Sequence, residues 1–358
     1  MDDEKKGEIQ VKLVRNEDQK AKKEEVLEIL KFLSPGTGLR TGIEGVLKAK
    51  TGGLIVIENE DIPEIIEGGF KVNCRFTPQR LVELCKMDAA VILSKDMKRI
   101  LYANVLLIPN SSIPSNETGT RHKAAERTAK HVKTMVIAVS QRRGEVTLFY
   151  KNIKYEIKET SEIIRRATEI LQILEKHREL FDKLNLELEN SESKREVKVD
   201  NVTSLIQRGK IILKTSEILK KYNIELGIEG TIVRGRLKEL LHGVEKDVNN
   251  VIKDYTKIGF KKTRKLLDIL NYDEILDLEN IEQSLGVSKE IKELTPRGHR
   301  LLSTAGMPEE DIGILIKEFK NINQILSLKS EQTQNFFNEE KSKSIMEKID
   351  QITNNIKG

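Results

Sequence analysis

At 358 residues the chain exceeds what one ordinary core accommodates, so two or three domains are expected. It is 38% hydrophobic and 33% charged, with 4% aromatic residues and no tryptophan, a mix that points to a helix-rich soluble protein. No apolar run nears the roughly 18 residues that cross a bilayer, and the first 30 residues alternate charges without a signal-peptide core. A membrane-embedded or secreted protein is thereby disfavoured and a cytoplasmic one expected. Cys74 and Cys85 have no metal-binding spacing and are expected to be packing residues in a reducing compartment. The net charge of +5 is unevenly spread. Arg121 to Lys154 holds nine Lys and Arg against two acids, whereas Ile291 to the end holds ten of each.

Residues 1–31 read as a charged amphipathic helix whose buried end is Val26, Leu27, Leu30 and Leu33. The stretch SPGTGLR (34–40) breaks it, and Leu39, Ile43, Val46 and Leu47 then recur at helical spacing. After the turn TGG, the run LIVIE (54–58) is β-branched and apolar, the mark of a buried strand. RLVELCKM (80–87) is helical, and AAVILS (89–94) and ILYANVLLIP (100–109) are strands. NETGTRHKAAERTAK (116–130) opens another helix, followed by strands TMVIAVS (134–140) and EVTLFYK (145–151). Helices interleaved with buried strands predict an α/β sandwich over about 30–155, and the GGF at 68–70 with its short hairpin-like neighbours predicts a mixed sheet.

Beyond 155 the strand signal ends. Ile163, Ile164, Ala167, Ile170, Leu171, Leu174, Phe181 and Leu184 form a helical stripe over 160–188, roughly 44 Å at 1.5 Å per residue. Further helices are predicted near 201–222, 232–256 and 261–271, with NSESKREVKVDN (190–201) as a solvated connection. From about 290 the pieces RGHRLLSTA, EEDIGILIKEF, INQILSL and KSIMEKIDQIT are short helices, which fit a helix-hairpin-helix unit or a helical dimerisation or capping domain equally well. The expected fold is therefore multidomain. An α/β N-terminal domain with a mixed central sheet flanked by helices (1–155) precedes an all-α linker or spine (156–289) and a small all-α, helix-hairpin-helix-like domain (290–358).

Three features of the first domain carry chemistry. A helix start binds anions because its first N–H groups lack internal partners and the dipole adds positive charge. If the helix begins near Arg121, then Gly119 admits a close backbone, Thr120 caps or meets a phosphate oxygen, and Arg121, His122 and Lys123 add donors. Solvated basic surface is the plainer alternative. Ser140, Gln141, Arg142, Arg143 and Gly144 follow a strand at its carboxyl end, where open α/β sheets favour ligands. Asp88, between a helix and a strand in MDAAVIL (87–93), either caps a turn or serves a divalent cation or an attacking hydroxyl. Cations, a helix start and one carboxylate together point to nucleotide phosphate chemistry.

The ordered set LSPGTGLRTGIEGVLKAKTGGLIVI, GGF, KMDAAVIL, YANVLLIP, ETGTRHKAAERTAK and VIAVSQRR resembles the diadenylate cyclase domain of the bacterial DNA integrity scanning family. The likeness runs on through the helical middle to RGHRLL (297–302). The resemblance implies condensation of two ATP into cyclic di-AMP with release of pyrophosphate, supported by Mg²⁺ or Mn²⁺. It also implies a homo-oligomer, an octamer, with N-terminal domains face to face, each holding one ATP, in a DNA-damage context.

By the same resemblance Asp88, Arg121 and His122 are catalytic and Asp88 also serves the metal. Ala89, Leu107, Gly119, Thr120, Arg121, His122, Lys123, Ala124, Ser140, Arg142 and Arg143 bind ATP, Leu107 lining the adenine. Four positions depart from the family pattern. Ala89 stands where the family has glycine, adding a Cβ and resisting φ > 0. Lys123 stands for arginine, a point charge in place of a bidentate fork. Ala124 stands for threonine, and Gln141 for arginine. At the carboxyl end NFFNEEKSKS (335–344) lacks the family's Gly-x-Gly turn and sets Glu339 and Glu340 where an anion would approach, which with the balanced charge argues against tight DNA binding. KKTRK (261–265) reads first as a solvated charge run.

Overall fold

A computed structural model describes residues 25–288, 293–319 and 321–357. Most of the helix expected over 1–31 lies outside them. Its described part, α1 at residues 25–32, buries Leu30, and Leu33 is buried just beyond. After the Pro-Gly break the Thr37 hydroxyl accepts the Arg40 N–H and caps α2 (Gly38–Lys48). There follow β1 (Gly53–Ile57), β2 (Ile66–Glu67), β3 (Phe70–Arg75), α3 (Pro78–Leu84), β4 (Ala90–Leu93) and β5 (Arg99–Leu107). Next come α4 (Thr120–Val132), β6 (Met135–Val139), β7 (Val146–Tyr150) and β8 (Ile153–Ile157).

The strands form one sheet in the order β2-β5-β4-β1-β6-β7-β8, with β3 also paired to β5. β1 and β4 are parallel and the other described pairings antiparallel, so the sheet is mixed, as expected. Successive side chains of a strand point to opposite faces, so a strand covered on both faces must be apolar throughout. In β1, Leu54 and Val56 join the core with Ala125, Ala129 and Val132 of α4. Ile55 and Ile57 join the opposite core with Leu30, Leu39, Ile43 and Leu81. The unbroken run LIVI is the imprint of this three-layer arrangement. β8 alternates half-buried with exposed residues, and β2 has only two residues, so neither left an apolar run to read.

The helical remainder comprises α5 (Thr160–Lys194), α6 (Val199–Leu226), α7 (Thr231–Leu241), α8 (Val244–Tyr255), α9 (Phe260–Ile269), α10 (Tyr272–Leu276) and α11 (Leu278–Leu285). The carboxyl end adds α12 (His299–Thr304), α13 (Glu309–Phe319), α14 (Ile322–Leu326), α15 (Ser330–Thr333) and α16 (Glu339–Lys357). The described chain forms two compact units, residues 25–168 with 221–232, and 169–220 with 233–357. In the second unit α5 and α6 cross so closely that a Cβ on Gly209 would stand 3.0 Å from the Phe181 ring and 2.2 Å from Val248. Helices α12–α16 enclose their own cluster, including Leu302, Leu315, Ile325, Phe337 and Ile349.

Two sequence expectations are corrected here. The single helix over 232–256 is broken at Gly243, whose φ of 78° suits glycine and starts α8 afresh. The segment 190–201 is no solvated connection: α5 runs to Lys194, and Val197, Val199 and Glu192 are buried. Glu192 pairs with buried Arg300 and accepts the Tyr255 hydroxyl at 2.6 Å. A run rich in charge concealed the one carboxylate that a buried arginine required.

Most of RGHRLL (297–302) is buried. The buried Asp254 carboxylate accepts the N–H groups of Gly298 (2.8 Å), His299 (2.6 Å) and Arg300 (2.9 Å), donors at the start of α12 that have no partner inside the helix. Arg297 donates to the carbonyls of Lys253 (3.2 Å) and Thr256 (2.9 Å). Replacing Arg300 by Met strands the Glu192 charge and should cost about 3–5 kcal/mol. Replacing Glu192 by Leu in the same chain should recover much of that loss. Urea denaturation followed by far-ultraviolet circular dichroism measures both.

Candidate active site

Strand pairing assembles the site. Leu54 lies beside Ala90 in the parallel pair, so the TGG before β1 and Asp88-Ala89 before β4 stand at one end of the sheet. β6 runs against β1, with Gly53 opposite Val139, so Ser140 emerges at that same end. β5 runs against β4, with Ala90 opposite Val105, which brings buried Leu107 there too. Ser140 and Leu107 stand at or just beyond strand carboxyl ends, and Asp88 and Ala89 precede a strand; the mixed sheet collects both kinds of strand end on one side.

Helix α4 starts beside them. Its N-cap Gly119 has φ −86° and offers no side-chain cap, so the N–H groups of Thr120, Arg121 and His122 lead the helix without one. The Lys123 N–H closes the first turn on the Gly119 carbonyl at 2.8 Å. A Cβ at 119 would find its nearest atom, His122 Nδ1, 4.0 Å away. Glycine there is not forced by backbone conformation; it leaves the front of the helix open.

Arg121 reaches back across the end of the sheet. Its Nη2 lies 3.8 Å from Asp88 Oδ1, and its buried Nε has no hydrogen-bond partner. The Arg121 side chain is 22% exposed and the Asp88 carboxylate fully exposed, so the carboxylate faces solvent with a cation close by. This ion pair, rather than a turn cap, is the contact Asp88 makes. The guanidinium rests against Gly52, where φ is +73°.

His122 is half-buried, with its ring edge-to-face on Phe149, centroids 6.3 Å apart. Burial holds its pKa below the ordinary histidine value; Lys154 and Arg121 push the same way, while Glu117 and Glu145 oppose. The imidazole is thus neutral at neutral pH. Glu117 itself pairs with Lys154 at 2.5 Å.

Ser140 shapes its own turn: its hydroxyl accepts the Arg143 N–H at 3.2 Å, and its N–H donates to the Glu145 carbonyl at 2.8 Å. Gln141, Arg142 and Arg143 are exposed, Arg143 lying 3.6 Å from Glu145. Thr120 and Lys123 are exposed as well. Ala124 is half-buried and packs against the core shared with β1. Ala89 does not occupy the positive-φ region, so alanine carries no backbone strain there.

Sequence reading takes TGG for a turn alone and passes over Phe149 and the Glu117–Lys154 pair. The available signal is two glycines at the entry to a buried strand, a place where another group approaches the backbone.

Residues 40–153 match the family model for the DisA bacterial checkpoint controller nucleotide-binding region, and residues 157–294 match that for the DisA bacterial checkpoint controller linker region. DNA integrity scanning protein DisA of Acetivibrio thermocellus is 40% identical over 325 residues, covering 87% of this chain and 89% of that protein. Its counterpart in Carboxydothermus hydrogenoformans is 40% identical over 321 residues, covering 87% and 91%. Among solved structures, DacA from Staphylococcus aureus overlaps 38% of this chain and 90% of its own at 23% identity, with a TM-score of 0.28 that is too low to bear on the fold. Two regional matches in sequence, and 40% identity sustained over most of both proteins, establish that this chain belongs to the DisA family of DNA integrity scanning proteins.

Proposed function

We propose that the chain is a diadenylate cyclase, condensing two ATP into cyclic di-AMP with release of two pyrophosphates, at a site built on Asp88, Arg121 and His122. The observation that carries the reading is the pairing of Arg121 with a fully exposed Asp88 at the open start of α4. Cations and free helix N–H groups suit an α-phosphate, and a solvent-facing carboxylate suits the proton of an attacking hydroxyl.

In each half-reaction a ribose 3′-oxygen bonds to the other nucleotide's α-phosphorus. The bond from that phosphorus to the pyrophosphate oxygen breaks, and the hydroxyl proton passes to Asp88. Arg121 and the α4 N–H groups stabilise charge on the α-phosphate, His122 donates to a phosphate oxygen, and Leu107 lines the base. Each site holds one nucleotide, so turnover requires two domains face to face in a homo-oligomer.

Among the described residues no group of three or more His, Cys, Asp or Glu is arranged to hold a metal. One exposed carboxylate nevertheless fits Mg²⁺ or Mn²⁺, hard cations that take most ligands from phosphates and water, so Asp88 would hold the ion. Such a cation, when bound, supplies neutralising charge beside the phosphates.

The division of labour we propose is nucleotide chemistry in 1–155, a helical spine in 156–289 and a helix-hairpin-helix-like end in 290–358 that meets DNA weakly. The last point is supported by Glu339 and Glu340 in the first turn of α16, where they favour the helix but oppose a phosphate. Ala89, Lys123 and Gln141 are proposed to slow turnover. Among the described residues no helix is long and apolar enough to cross a membrane.

Incubating the purified chain with ATP and Mn²⁺ and resolving nucleotides by chromatography should give cyclic di-AMP; its absence would overturn the enzyme reading. Asp88→Asn should cut the rate by at least about a hundredfold while leaving the melting temperature unchanged, since its carboxylate is fully exposed.

The combined reversions Ala89→Gly, Lys123→Arg and Gln141→Arg should raise product formation by about tenfold or more, the value of one restored charge-assisted contact. A rate no higher than that of the unaltered chain would show that these positions do not limit turnover.

His122 has a lowered pKa in the free protein, and bound polyphosphate favours its charged form. ATP affinity should therefore tighten as pH falls below about 6.5, because the complex then takes up a proton. His122→Asn should flatten that slope in equilibrium titrations.

A further inference from the structure

Building on the phosphate-binding role assigned above to Arg121, the geometry points to Gly52 as a positioning residue that sets where Arg121 aims its guanidinium. The TGG turn before β1 thereby becomes a part of the nucleotide site.

Arg121 leaves the first turn of α4 on a long, flexible stem, so something must fix its direction. Its confinement is visible in the buried, unpartnered Nε and in a side chain only 22% exposed, with Nη2 toward Asp88. The surface beneath it is the Gly52 backbone. A Cβ there would fall 2.6 Å from Arg121 Nη1, 3.2 Å from its Cζ and 3.1 Å from the Val139 carbonyl oxygen. Val139 is locked in the β1–β6 ladder, paired with Gly53 and with Val146 on its other side. The strand cannot yield, so the guanidinium would have to leave its present position, 3.8 Å from Asp88.

Two requirements meet at this position. The φ of +73° favours glycine, and so does the missing Cβ. Asparagine separates them, because it tolerates left-handed backbone but carries a Cβ. The fork geometry of a guanidinium makes its aim matter more than its charge alone.

The test uses the full chain with Gly52→Ala and Gly52→Asn, each made in the native and in the Arg121→Ala background. Turnover of ATP with Mn²⁺, binding of a fluorescent ATP analogue and the melting temperature are measured. In the native background both variants should lower kcat/KM by about a hundredfold, the scale of an ångström-level misplacement; Gly52→Ala should melt somewhat lower because alanine resists the left-handed backbone, and Gly52→Asn should melt close to the native chain. In the Arg121→Ala background the same changes should cost less than about threefold, since residues acting through one another are not additive.

Equal costs in both backgrounds, or full activity in the Gly52→Asn variant, would overturn the positioning role while leaving the cyclase reading intact. A Gly52→Asn variant that melts well below the native chain would overturn it too, since the glycine would then serve the fold and not Arg121. If the native chain binds the analogue yet forms no product, the cyclase reading alone falls, and the same cycle is read in affinity. A native chain that binds no nucleotide overturns both.

Discussion

Strand β1 is paired in parallel with β4 on one side and antiparallel with β6 on the other, and it is covered on both faces. The rest of the N-terminal unit follows from that constraint. Two covered faces demand an apolar strand. Opposite pairing senses bring a strand start (β4) and a strand finish (β6) to one end of the sheet. At that end the loops meet the start of α4, so a carboxylate, an arginine and a serine turn from distant parts of the chain become neighbours.

Charge is used differently in the two units. In the N-terminal unit the Asp88–Arg121 pair is loose and faces solvent, where screening leaves an ion pair little stabilising value. Such a pair is open to a ligand. In the helical unit, Glu192, Arg300, Tyr255 and Asp254 form a buried polar cluster in which each charge answers to another or to backbone N–H groups. Burial raises the cost of any missing partner there, so the cluster fixes how α12 docks on α5 and α8.

How well the sequence could be read depended on whether a residue's role is local. The alternating helices and strands of 30–155 were legible because burial on one or two faces imposes a periodicity. β2 and β8 were not, being short or half-exposed. Asp88, Arg121 and His122 were singled out from charge at a helix start and a carboxylate before a strand, and Asp88 and Arg121 lie 3.8 Å apart. The Gly52 contact was invisible, because nothing in TGG says which side chain crosses it. The segment 190–201 misled for the same reason: composition cannot reveal that Glu192 will meet Arg300, more than a hundred positions away.

The sequence by itself determined the layered α/β domain, the helical remainder and the family, since periodic burial and motif order are properties of the chain read in line. It also determined the charge at the start of α4. Only the tertiary structure decided that Asp88 stands opposite Arg121, that Ala124 packs against the core and that Ala89 carries no backbone strain. It also set Arg121 on Gly52. Those facts depend on strand sense and side-chain reach across the end of the sheet, and neither is written in local spacing.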